Sequence, residues 1–132
     1  MTSVLNVDSI AAKDGTSPVE LTKQHAAKSW NCLNGTGTVA IRDSFNVSSI
    51  DDITTGKYRT NFSSNLVNND FATTWEAIET VSSNTARCYS ATEESTTRTT
   101  SANTCRTGWT GNNTSGTTDS AAVSNIIHGD LA

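Results

Sequence analysis

Between Trp30 and Phe62 the side chains alternate in character along the chain, and a period of two fits an extended strand and no helix. After a break at Asn34-Gly35-Thr36-Gly37, Val39, Ile41 and Phe45 fall on one side; Ala40, Arg42 and Ser44 fall on the other. A second run, Lys57 to Phe62, sends Tyr58, Thr60 and Phe62 one way and Lys57, Arg59 and Asn61 the other. Between them, Asp51-Asp52-Ile53-Thr54-Thr55-Gly56 is polar and closes on glycine, which suits a turn between antiparallel strands. The expectation is two half-buried strands joined by a loop, with Trp30 as an aromatic anchor ahead of them.

The flanks divide in character. Met1 to Lys28 has weak alternation and a Lys13-Asp14-Gly15-Thr16-Ser17-Pro18 loop, with too little apolar surface to fold alone. It reads as an attachment or oligomerisation segment (1–28) ahead of one β-domain (29–132). Beyond Asn65, Phe71, Trp75, Ile78 and Val81 fit a helical stripe nearly as well as a strand; Thr73-Thr74 tips the reading to strand. Ala86 to Ala91, carrying Cys88 and Tyr89, reads as a strand, and Glu93 to Thr104 as extended polar chain without obvious burial. Thr110 to Ser120 reads as an exposed loop. Ala121 to Ile127 alternates and reads as a closing strand, central to a sheet, with Val123 and Ile127 in the core.

Composition narrows the function classes. The hydrophobic fraction is 34%, while serine and threonine make up about 30% of the 132 residues. That is thin for an isolated core and fits copies that share burial at an interface. A net charge of -4 with nine scattered Lys and Arg argues against nucleic-acid binding. No apolar run approaches a membrane span, and the first residues do not form a signal peptide, so synthesis and folding in a cytoplasm are expected. Three cysteines preclude full pairing within the chain. Cys88 and Cys105 are a candidate pair, worth about 3 kcal/mol in the entropic account; a reducing cytoplasm favours three thiols.

Catalytic signals are weak. His128 near Asp130 amid abundant serine permits a Ser–His–Asp set by composition, but no nucleophile-elbow sequence accompanies it. Cys32, Cys88, Cys105, His25 and His128 lack metal-ligand spacing, so neither metal nor cofactor is expected. Asp51-Asp52 and Glu93-Glu94 are neighbours that a strand would point to opposite faces. Sequons at Asn34, Asn46, Asn61, Asn112 and Asn113 are incidental without a signal peptide. The candidate recognition residues are Trp109, set between Gly108 and Gly111, with Tyr89, Asn112 and Asn113. An aromatic there can stack on a sugar or anchor a protein contact, or it can simply cap the end of the core.

Trp30, Asn34 to Val39, Ile41-Arg42, Ser44 to Ile50, Gly56, Tyr58 and Asn61-Phe62 together resemble a small β-domain of marine tailed-bacteriophage fibre-like virion proteins. Asn69-Asp70-Phe71-Ala72 and the ending Ile127 to Ala132 echo it more weakly; Thr73 to Ala122 has no counterpart. The chain departs from the pattern at Asp51 to Thr55, where the family's turn is richer in asparagine and glycine, and at Cys32. The resemblance implies a non-enzymatic, homotrimeric virion protein, with Met1 to Lys28 contacting other virion proteins and host-surface glycan or protein met by the exposed loops. Trp30, Val39, Ile41, Phe45, Tyr58, Phe62, Val123 and Ile127 would form the core or the assembly contacts. The alternatives are a capsid decoration protein (head fibre or cement) and, further off, a glycan-degrading tailspike. The expected fold is all-β: a small antiparallel sandwich, jelly-roll-like, with an extended N-terminal segment.

Overall fold

A computed structural model describes residues 26–78, 88–93, 98–111 and 114–132. Most of the 1–28 segment, with Val81, Asn112 and Asn113, lies outside the described residues. Nine strands run through the rest: β1 (Ser29–Asn34), β2 (Ala40–Phe45), β3 (Val47–Thr54), β4 (Lys57–Phe62), β5 (Ala72–Ile78), β6 (Cys88–Glu93), β7 (Ala102–Gly111), β8 (Thr114–Thr117) and β9 (Ala122–His128). They form two antiparallel sheets. One has the order β2-β1-β9-β5; the other is β3-β4-β7-β6, with β8 also pairing to β7. The first described strand pairs with the last and β4 with β7, so long-range pairings tie both sheets together around the sequential hairpins. The all-β sandwich read from the sequence is the fold.

Inward residues of both sheets meet in two apolar clusters. Leu33, Tyr58, Cys105 and Val123 form one, with Val39, Ile50 and Trp75 packed against it. Phe62, Leu66, Phe71 and Ile127 form the other, where the two phenyl rings meet edge to face at 6.1 Å. Between the clusters lies a polar layer. Asn31 and Asn125 are register partners in one sheet, as are Thr60 and Asn103 in the other. Asn31 Nδ2 donates to Thr60 Oγ1 across the sandwich at 2.8 Å. All four side chains are buried.

Several expectations are corrected. The strands carrying Ile41 and Tyr58 are not hairpin partners: β2 pairs with β1, and β4 pairs with β3 in the opposite sheet. Asp51 to Thr54 lies in β3 rather than in a turn, because Thr55-Gly56 alone reverses the chain. The chain crosses between sheets at Asn46, in the left-handed region at φ 56, a conformation asparagine tolerates. Its side chain secures the crossing, donating to Lys28 O and Ser64 O and accepting from Ser64 N.

Ile41 and Phe45 do not share a face. A bulge between Cys32 and Leu33 pairs Ile41 with inward Leu33 and Phe45 with outward Trp30. Phe45 is 50% exposed and Ile41 36%, so neither belongs to the core of the single chain, and Trp30 is only half-buried. The strand reading of the stretch from Phe71 holds over its described residues: Ala72–Ile78 is β5, turning Thr73, Trp75 and Ala77 inward. The end of the Thr-rich chain is not exposed: Asn103 and Thr104 are fully buried on β7, where they pair with Thr60 and Arg59 of β4, while Thr99 and Ser101 ahead of them are exposed. Thr114–Thr117 is a strand inside the expected loop, since β7 outlasts β4 and offers a free edge from Gly108 on. Cys88 and Cys105 form no bridge. Cys88 sits opposite Thr110, about 17 Å along the strand from Cys105 by strand rise, and Cys105 is a free thiol.

Candidate functional site

The β7–β8 ribbon extends past the apolar clusters at one end of the sandwich. Trp109 faces Gly116 on β8 and Tyr89 on β6. Gly116 makes room for the indole: a Cβ there would begin 3.3 Å from Trp109 Nε1 and 3.4 Å from Cε2. Gly108 is needed for the ribbon's closeness, since a Cβ would stand 2.8 Å from Gly116 O. An open groove of about 310 Å³ results, lined by Arg106 to Thr110 and Ser115 to Thr117. Strand alternation puts the indole with Gly116 on one face of the ribbon, and Arg106, Gly108 and Thr110 with Ser115 and Thr117 on the other; the Thr107 hydroxyl is buried and donates to Thr118 O. The Trp109 face offers an apolar ring edged by the bare backbone of Gly116, a surface on which a sugar ring can stack. Trp109 is half-buried, so it both closes the ribbon and lines the groove. Tyr89 is brought alongside by register; Asn112 and Asn113 lie outside the described residues.

Other sequence candidates stay apart. His128 and Asp130 are exposed at the end of β9, and no group of three or more His, Cys, Asp or Glu is arranged around a cation among the described residues. Asp51 accepts from Asn61 Nδ2 at 3.1 Å, a structural contact within the β3–β4 hairpin. No helix among the described residues is long and apolar enough to cross a membrane. Burial pushes the Cys105 thiol up to about 12. A thiol so raised is almost wholly protonated and inert at neutral pH. Alkylation at pH 8 with mass mapping should therefore leave Cys105 unmodified in the folded protein, and label it fully in denaturant; labelling of Cys105 at the rate of a free thiol would contradict its burial.

Sequence reasoning missed two features. One is Asp119, whose Oδ1 lies 3.0 Å from the Tyr58 hydroxyl and accepts from Gly56 N at 2.7 Å. The other is an outward row across the first sheet, Phe45–Trp30–Ile126 in direct register, with Ile126 47% exposed. The alternation of β9 already placed Ile126 outward, but nothing local identified its neighbours. No protein-family model matches the chain, and neither a curated protein nor a solved structure matches it.

Proposed function

We propose that this chain is a non-enzymatic, fibre-like virion protein of a tailed bacteriophage that binds host-surface glycan at the β7–β8 groove. The observation that carries the recognition role is the half-buried Trp109 indole laid across Gly116 on the open β7–β8 ribbon. The virion role rests on the resemblance carried by the Trp30 to Phe62 block. Association of copies, as a trimer in fibres, is supported by the thin apolar composition and by the exposed Phe45–Trp30–Ile126 row. That same row favours a second reading, capsid decoration, in which the face seats on another virion protein.

Binding of the full chain to a panel of soluble polysaccharides tests the recognition role. Trp109→Ala should weaken binding at least about tenfold, the equivalent of about 1.4 kcal/mol of lost stacking and desolvation, with the circular dichroism spectrum unchanged. Undiminished binding by that variant would overturn the assignment of the groove. Light scattering separates the two virion readings: a mass of three subunits supports the fibre, and a stable monomer supports decoration.

A further inference from the structure

We infer that the polar layer between the two apolar clusters is a hydration site, with water molecules held inside the sandwich by Asn31, Asn103 and Asn125. The two sheets stack with their strands in matching order, β2 against β3 at one edge and β5 against β6 at the other. β1 therefore covers β4, and β9 covers β7. Asn31 and Thr60 meet across the first of these pairs through their 2.8 Å bond. Asn125 and Asn103, their register partners, stand across from each other on the second. Asparagine reaches further than threonine, yet these two amides do not meet. Oδ1 and Nδ2 of Asn103, Oδ1 and Nδ2 of Asn125, and Oδ1 of Asn31 are all buried without a hydrogen-bond partner.

Leaving a buried amide unpaired costs the full desolvation of the group, so such atoms are almost always satisfied. All three residues are 2% exposed or less, which shuts out bulk solvent. The donor set selects the guest. Each open amide presents one carbonyl and one NH2 whichever way it is turned. A cation there meets N–H groups, and an anion meets carbonyl oxygens. Water both donates and accepts, and suits the mixture. Trp75, the register partner of Asn125 in β5, adds a buried indole N–H without a partner. A buried water makes about three hydrogen bonds, so the five amide atoms and the indole are served by about two waters.

Water–protein NOEs, recorded by NMR on the isotope-labelled full chain, test the site. The side-chain NH2 protons of Asn103 and Asn125 should give cross-peaks to water with the sign of a molecule that tumbles with the protein. Absence of those cross-peaks, or a scalar coupling across a direct Asn103–Asn125 hydrogen bond, overturns the inference. Substitution supplies a second readout. Asn103→Leu and Asn125→Leu each leave one open amide facing leucine, and each should melt below wild type. The double variant removes both amides in favour of apolar side chains of similar size, and should melt above either single variant. Losses that simply add across the two positions would show that they share no guest, and would overturn the site.

Discussion

Tyr58→Ala should destabilise the domain by about 3–5 kcal/mol, the range for truncating a buried aromatic, read as a shift in urea midpoint at constant slope. Tyr58 is fully buried in the first apolar cluster. Its hydroxyl lies 3.0 Å from Gly35 O and 3.0 Å from Asp119 Oδ1, so one proton serves two acceptors. It thereby ties β4 to the β1–β2 loop and to the segment entering β9. Tyr58→Phe keeps the ring and leaves those acceptors without their donor, which should cost about 1–3 kcal/mol. Burial, and then the neighbouring Asp119, hold the phenol's pKa well above its ordinary 10.0. The folded state therefore favours the neutral form. Its contribution is full below pH 10 and is lost as pH rises from there through the folded-state value. Wild type should lose stability in that alkaline window, and Tyr58→Phe should lose less; parallel declines would dissociate the phenol from the effect.

Two glycines with nearly the same backbone conformation should respond very differently to alanine. Gly37 has φ 64 and Gly56 φ 67. At either position a Cβ strains a left-handed backbone, at about 1–2 kcal/mol. A Cβ at Gly37 meets nothing within 4 Å, whereas at Gly56 it would stand 2.7 Å from Thr107 O and 2.8 Å from Thr118 O. Those atoms are backbone, fixed where β7 leaves β4 and takes up β8. Gly56 O also accepts from Thr107 N at 2.7 Å. Gly56→Ala should therefore cost at least about 2 kcal/mol more than Gly37→Ala, the overpacking range. Equal thermal shifts in the two variants would show that the β4–β7–β8 junction yields.

The elements legible in the sequence were those whose apolar period matched their burial. Tyr58, Thr60 and Phe62 on β4, and Val123 and Ile127 on β9, alternate in sequence and in space. β7 was illegible because its buried face is Asn103, Cys105 and Thr107, residues that a pattern of hydrophobicity places outside. β3 hid behind Asp51-Asp52, which an edge strand carries without penalty. The reversal between Ile41 and Phe45 comes from pairing with β1, a long-range fact no local window contains. At the groove, the isolated aromatic was visible in Gly108-Trp109; Gly116 and Ser115 became neighbours only through the β7–β8 register.

The polar layer between the two apolar clusters has a thermal consequence. Among the described residues, eight buried polar side chains stand beside ten buried apolar ones. Exposing apolar area on unfolding raises the heat capacity, and exposing polar area lowers it by roughly half as much per unit area. The two contributions partly cancel in this interior. The enthalpy of unfolding then varies gently with temperature, and the stability curve is broad and shallow rather than sharply domed, holding much the same margin in cold surroundings as in warm ones.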